Sequence, residues 1–526
     1  MTKGKDCGEE EVNPNSFTRD SDGKPWRVEE NAILCPKCNI ELPGNEERTL
    51  NATADGSLVV TWDGAEDPGN PKNMSQLRKW SVVVATGLLT FCVTFASSVF
   101  ATTYSATAAE FGVTEEVMVL GLSLYVLGFA FGPLVWGPLS ETYGRMGPLF
   151  GGMAVFALFQ IPVAVARDLQ TLFICRFFGG VFGSAPVAIL GGMYVDFMAP
   201  IDLGVAAAVF AGAAFLGPAA GPILGSFITQ SSLGWRWTIW ITLLMTVAFG
   251  LLVSTVTPET FEPVLLRRRA RERRHATKNW ALHAKSEEYP LDLRTLLKKY
   301  LTKPLQMIVL EPILVVVTVY MALVYGILLL TFEAYPISFE VKRGWSPTIG
   351  SLPFTCILAG VVAGCLAIAA FTKTWYARRW AAGMTKRPTP EDRLPPMIAG
   401  SVVLPIGLFW FAWTSDPSIP WAAQVLSGLP IGAGIILIFM TGVVYLMDVY
   451  ARNANSALAV NTFIRFVIAA SFPHFTSSMY MSMGVAWATT LLGILCVVLI
   501  PFPLLFWRRG EKIRGWSCFA FNPEAS

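Results

Sequence analysis

An all-α polytopic membrane protein, with twelve transmembrane helices in two six-helix halves, is the fold this sequence predicts. Three observations predict it. The 526 residues are 53% hydrophobic and only 15% charged, with a mean hydropathy of +0.51, whereas soluble domains carry about 25% charged residues. Apolar stretches recur at about the 20 residues that a helix needs to cross a bilayer. One long basic segment near the middle of the chain divides these stretches six and six.

Residues 1–79 come first. They are polar and rich in Gly, Asn, Asp, Glu and Pro, without a sustained apolar period, and read as a disordered cytosolic tail. No apolar core follows a basic start here, so no cleaved signal peptide is expected and the first helix serves as the targeting signal. The tail holds Cys35-Pro-Lys-Cys38, a lone CxxC among nine scattered cysteines. Without a second pair it reads as two free thiols, with no metal site. The six spans of the first half (80–257) lie at 81–105, 117–137, 148–166, 170–194, 205–228 and 235–256. A basic loop, 258–306, leads to the second half (307–508). Its spans lie at 308–335, 347–371, 396–414, 421–446, 457–480 and 485–507, and a short tail, 509–526, closes the chain.

Charge fixes the expected orientation. Connections on the side of the two tails hold 27 Lys and Arg, 12 of them in the central loop, against four on the other side: Arg167, Arg236, Lys342 and Arg343. Positive loops stay in the cytosol, so both termini are expected there. The sequons at Asn51 and Asn73 then face the cytosol and stay unmodified.

The tightest connection is the most informative one. Phe131-Gly132-Pro133-Leu134-Val135-Trp136-Gly137-Pro138-Leu139-Ser140-Glu141-Thr142-Tyr143-Gly144-Arg145 runs from the second span into a short charged turn, and the third span starts almost at once. Gly144 permits the turn. Glu141 and Arg145 are placed to pair with each other, with the start of helix three, or with Asp196 at the end of helix four, which makes the turn a candidate cytoplasmic gate. Helix five holds Gly217-Pro218-Ala219-Ala220-Gly221-Pro222-Ile223-Leu224-Gly225. Glycines four apart share a face and allow close helix approach, and the two prolines remove helix hydrogen bonds and bend it.

Charges inside spans cost about 2.5–3.5 kcal/mol each on an insertion scale and are functional by default. Arg176 in helix four, Glu333 in the outer part of helix seven and Arg465 in helix eleven are such charges. Helices one to six hold no mid-span carboxylate, which leaves Glu333 as the proton carrier to expect. Arg465 reads as a structural charge, paired with a carbonyl or with Asp448. Tyr125, Tyr320, Tyr325, Phe332, Tyr335 and Tyr445 are candidate cavity residues, because aromatic and aliphatic walls with few fixed polar groups accept varied amphipathic molecules.

Several of these motifs carry a resemblance. Gly137-Pro138-Leu139-Ser140-Glu141-Thr142-Tyr143-Gly144-Arg145 resembles the signature between helices two and three of the major facilitator superfamily, in the form found in its fungal twelve-helix drug:proton antiporter branch. Trp62-Asp63 with Asp67-Pro68-x-Asn70-Pro71, Cys175-Arg176-Phe177-Phe178-Gly179-Gly180, Pro258-Glu259-Thr260 and Phe332-Glu333-Ala334-Tyr335-Pro336 extend the likeness over roughly residues 58–514. The resemblance implies a gate at the charged turn, proton coupling through Arg176, and, from the helix-five element, export. The chain departs from the family where a second basic residue is common after Arg145: Met146-Gly147 stands there, leaving Arg145 as the only cation of the turn.

The expected function is therefore proton-coupled efflux of a small amphipathic organic compound, a drug, toxin or secondary metabolite, across the plasma membrane by alternating access, with a vacuolar membrane as the other location. A polyamine exporter or a nutrient uptake permease is the alternative. Sugar porters repeat the arginine signature in the second half, and here its counterpart around Trp375 to Trp380 lacks an acid. No enzyme is expected: no nucleophile–base pair or metal cluster is visible, and three histidines disfavour metal chemistry. No cofactor is expected beyond the proton gradient. The expected partners are the small-molecule substrate and the lipid bilayer, without nucleic acid, and the chain is expected to act as a monomer.

Overall fold

The computed structural model describes residues 58–288, 302–382, 389–515, 517 and 519. Cys35, Cys38 and Asn51 lie outside the described residues. Ten helices long and apolar enough to cross a membrane run in order: α1 (Gln76–Phe111), α2 (Glu115–Tyr143), α3 (Met146–Ala164), α4 (Leu169–Phe197), α5 (Asp202–Gln230), α6 (Arg236–Val256), α7 (Pro312–Val341), α8 (Pro347–Arg379), α9 (Pro395–Trp413) and α10 (Trp421–Val449). The eleventh stretch, Ala454–Arg514, is 61 residues long, about twice what a bilayer needs. Gly484 breaks it at φ 77°, ψ 159°, a backbone region open to glycine alone. The chain reverses there, and the stretch becomes α11 (454–483) and α12 (485–514). The described residues thus hold the twelve expected passes.

The two halves repeat one packing scheme. In the first, α1 packs on α5, and α2 and α3 on α4; in the second, α7 packs on α11, and α8 and α9 on α10. Between the halves α5 meets α8 and α2 meets α11. Small residues allow this. Gly204 of α5 faces Thr372 of α8, and Gly212 faces Cys365, whose Sγ lies 3.5 Å from the Ala208 carbonyl oxygen. We call the face that carries the start of α1 and the end of α12 the basic face.

On that face residues 58–75 are ordered, where the sequence reading expected a disordered tail through residue 79. The reason is long-range. The segment packs against a basic surface helix, Glu262–Thr277, and the strand-like residues after it. The Val60 amide donates to the His283 carbonyl at 2.8 Å, and Val60, Ala270, Leu282 and Ala284 form a small apolar core. Trp62 Nε1 donates to Glu262 at 2.8 Å. Asp63 pairs with Arg269 and Arg273, and Asp67 with Arg269. Asp67 also accepts the amides of Asp63 and Gly69, each at 2.8 Å. The Asp63 amide first, and Arg269 beside it, hold its carboxyl down at about 2. Asn73 spends its side-chain amide on the carbonyls of Ala65 and Asp67.

Candidate functional site

The charged turn builds the first cluster. After α2 the chain turns at Gly144 (φ 94°, ψ 172°) and α3 starts at Met146. Arg145 then lies against the end of α4, with Nε 2.9 Å and Nη2 3.3 Å from the two Asp196 oxygens. Its Nη1 donates to Ser140 Oγ at 3.1 Å, and its guanidinium lies 4.6 Å from the Phe261 ring centre. Both charges are largely buried, with side chains 8% and 15% exposed. Glu259, after α6, completes the cluster. Its carboxylate accepts the amides of Arg145 (2.9 Å), Met146 (3.1 Å), Thr260 (2.9 Å) and Phe261 (3.0 Å). It thus caps the start of α3, whose first amides have no partner within the helix. Thr260 adds a longer bond to Asp196, at 3.4 Å. Glu141 points the other way and accepts from Asn455 of α11, across the halves. In the sequence Glu259 stands only within the Pro258-Glu259-Thr260 motif. Its proximity to the turn needs the fold.

The second half repeats this cluster, which the sequence reading missed. Arg393 pairs with Asp448 at the end of α10 and lies 4.3 Å from the Tyr376 ring centre. Glu391 is paired at 3.0 Å with Arg514, the last residue of α12. Burial raises the Glu391 carboxyl above its ordinary range, against the nearby Arg514. So an acid and an arginine do stand in the second-half loop. They lie beyond Trp375–Trp380, where they were sought. Asp448 therefore belongs to Arg393, and Arg465 finds its partner elsewhere. The C-terminal residues close over this face: Glu311, fully buried, accepts from Tyr450 Oη (2.8 Å), Ser517 Oγ (2.5 Å) and the Phe519 amide (2.9 Å).

The second cluster lies inside the bundle, where the halves meet. Six rings form a continuous row: Tyr125–Phe129 (5.2 Å between centres), Phe129–Phe466 (5.5 Å), Phe466–Tyr325 (5.1 Å), Tyr325–Phe215 (6.1 Å) and Phe215–Phe439 (4.7 Å). Tyr125, Phe129 and Phe215 come from the first half, the other three from the second. Two buried arginines flank the row. Arg176 donates to the carbonyls of Gly121 (3.1 Å), Ala96 (3.0 Å) and Ser97 (3.4 Å), between the rings of Phe100 and Tyr125. Arg465 donates to Asn461 Oδ1 at 3.1 Å and lies 4.5 Å from the centre of Phe439 and 4.6 Å from that of Phe466. Glu333 lies toward the opposite face. Its carboxylate oxygens are buried, with no cation or side-chain partner among the described residues and the Ser477 backbone near, and the buried hydroxyl of Tyr104, within its electrostatic reach, has no partner either.

Of the six aromatic candidates, only Tyr125 and Tyr325 belong to the row. Tyr125 donates to the Val93 carbonyl at 2.9 Å. Tyr320 lies beside Ser401 and Cys496, Phe332 packs on Phe354, Tyr335 on Phe354 and Phe411, and Tyr445 on Phe506. These four pack inside the second half. The helix-five glycines also face inward. A Cβ at Gly217, Gly221 or Gly225 would meet Thr94, Ser98 or Thr102 of α1 at 2.2, 1.9 and 2.5 Å. Pro218 and Pro222 lie inside the same helix. The motif seats α5 on α1 within one half.

Comparison with known proteins adds three relatives and one fold. Residues 86–473 match the Major Facilitator Superfamily. The citrinin biosynthesis cluster MFS transporter mrr1 of Monascus ruber is 50% identical over 89% of this chain and 93% of its own length. The ascochitine biosynthesis cluster MFS transporter of Didymella fabae is 49% identical over 88% and 89%. The cercosporin MFS transporter CTB4 of Cercospora nicotianae is 43% identical over 92% and 94%. Among solved structures, the proton:xylose symporter XylE superposes with a TM-score of 0.60, covering 83% of this chain and 96% of XylE at 15% identity, a likeness of fold.

Proposed function

The chain belongs to the Major Facilitator Superfamily, and we propose that it exports a small amphipathic secondary metabolite across the plasma membrane, in exchange for protons, by alternating access. The observation that carries this reading is the aromatic row at the contact between the halves, flanked by charges inside a span. Ligand sites of two-half transporters lie near the midplane between the repeats. A wall of rings with few fixed hydrogen-bonding groups suits an apolar, aromatic compound better than a sugar, which needs many polar partners. The relatives' names, transporters of the citrinin, ascochitine and cercosporin pathways, point to the same class of cargo.

The proton enters the proposal through Glu333. Its carboxyl oxygens lack a cation or side-chain partner among the described residues, and an intramembrane acid without a cation binds and releases a proton as its surroundings change. Arg176 is bound by three backbone carbonyls and holds α1, α2 and α4 together around it. The excess of cations on the basic face supports a cytosolic position for that face.

Inside-out plasma-membrane vesicles test the reading. Secondary metabolites of the producing host should accumulate in them when the lumen is made acidic, so that protons leave as the compound enters. An uncoupler should abolish the accumulation, and Glu333→Gln should lose the proton dependence. Accumulation indifferent to both would overturn proton exchange. Uptake of labelled sugar at the same sites would favour the permease.

A further inference from the structure

The two buried arginines are equipped differently. Arg176, 1% exposed, uses Nε, Nη1 and Nη2 on three backbone carbonyls. Every one of its three nitrogens is engaged. Arg465, 3% exposed, makes one hydrogen bond, from Nη1 to Asn461 Oδ1, and its buried Nε has no partner. No acid pairs with it among the described residues. Asn461 itself is fixed by donating to Thr318 Oγ1 at 3.0 Å. A guanidinium is an obligate cation with five donors. Leaving donors unpaired in an apolar interior costs free energy that a purely structural arginine recovers through carbonyls, as Arg176 does.

The rings around Arg465 say where the missing partner would come from. Its charge is flanked by Phe439, Phe466 and, at 5.9 Å, Tyr325. Each of these second-half rings is covered by a first-half ring: Phe439 and Tyr325 by Phe215, and Phe466 by Phe129. When the halves part, Phe215 and Phe129 leave with the first half, and the surface they uncover is an aromatic wall with a guanidinium in it. We infer that Arg465 is the anion-binding residue of the substrate site, and that the cargo is an aromatic compound bearing a carboxylate or phenolate. Its ring takes the place of Phe215 or Phe129 and its oxygens meet the free donors of Arg465. This assignment rests on the chain being a transporter. It excludes polyamines, for which an unpaired guanidinium is repulsive.

Binding to the purified full-length chain tests it without transport. The probes are 2-naphthoate and 2-naphthamide, the same ring with and without charge. The wild-type protein should bind the acid at least about tenfold tighter, the value of one charge-assisted pair. Arg465→Gln should bind both equally, and Arg465→Lys should keep a reduced preference for the acid. Asn461→Asp supplies an internal carboxylate to Arg465 and should abolish the preference with the arginine in place, a result that does not depend on Arg465→Gln folding. An unchanged acid-to-amide ratio in Arg465→Gln and Asn461→Asp, or no preference in the wild type, overturns the inference. Acid-selective binding in a protein that moves neither naphthoate nor any metabolite in vesicles would instead overturn export and leave the anion site standing.

Discussion

Replacing Gly144 by alanine should be the most damaging single-methyl change on the basic face. Two costs combine. The backbone at φ 94°, ψ 172° lies in a region that only glycine enters freely, and forcing a side chain there costs about 1–3 kcal/mol. The new Cβ would also sit 2.5 Å from Glu259 Oε2 and 2.9 Å from its Cδ. The carboxylate must then leave the amides of Arg145 and Met146. A hydrogen bond to a charged group is worth about 1.5–3 kcal/mol when buried. Glu259 is half-buried, so about 1 kcal/mol for each is the better figure. The sum is about 3–5 kcal/mol, or about two to four decades in the folding equilibrium. Gly137→Ala is the control: it lies in the same motif, inside α2, with nothing within 4 Å of its added Cβ, and should change stability little. SDS titration of the full-length chain in mixed micelles reads both. Glu259→Ala removes the clash but not the strain, so Gly144→Ala/Glu259→Ala should lose less than the two single losses added. A Gly144→Ala midpoint equal to that of Gly137→Ala would refute the reasoning.

Two further predictions concern the ordered segments beside the bundle. Asp67 is held at about 2, below its ordinary 3.8, so its contribution is fully present above about pH 4 and is lost as pH falls through about 2. Protection of the Asp63 and Gly69 amides, taken against the intrinsic exchange rate at each pH, should be high at neutral pH and should fall over that acid window. Asp67→Asn, which keeps one acceptor oxygen, should show reduced protection with no step in that window; a wild-type step in this variant would contradict the assignment. Glu311→Ala removes the acceptor of Ser517 and Phe519. Carboxypeptidase should then trim residues beyond Arg514 about tenfold faster, the worth of two net hydrogen bonds. Tyr450→Phe leaves those two bonds in place and should change trimming little. Equal trimming in Glu311→Ala and wild type would show that the tail is held by something else.

The spans were legible because apolar length is a local property: Gly484 alone separates the last two, and it is visible in the sequence. The Arg145–Asp196 pair was legible too, since Asp196 closes the helix that must lie beside the turn. What escaped was long-range. Residues 58–75 have the composition of a disordered tail, and their order comes from Arg269, Arg273 and His283, some 200 residues later. The second-half cluster escaped because Glu391 and Arg393 stand more than ten residues beyond Trp380, where the repeat was expected. The cavity tyrosines were mostly misplaced for a physical reason. A helix apolar all round gives no sign of which neighbour a given ring faces, so Tyr320, Tyr335 and Tyr445 could not be told from Tyr325.

The turn at Arg145 reads differently once its partners are known. Arg145 and Asp196 belong to the same half, and so do Arg236 and Glu110 on the opposite face. Arg393 with Asp448, Arg379 with Asp392 and Arg514 with Glu391 all lie in the second half. Each of these five ion pairs joins residues of one half. These bridges therefore do not have to break when the halves separate. They brace each half from within, with the segment after α6 tying one (Glu259) and the end of α12 tying the other (Arg514). Across the interface lie the Glu141–Asn455 hydrogen bond, the small residues of α5 against α8, and the ring row. A missing second cation at Met146 then costs such a machine little, because the turn's task is to hold α2, α3 and α4 together, and the guanidinium of Arg145, with Glu259 behind it, already does so.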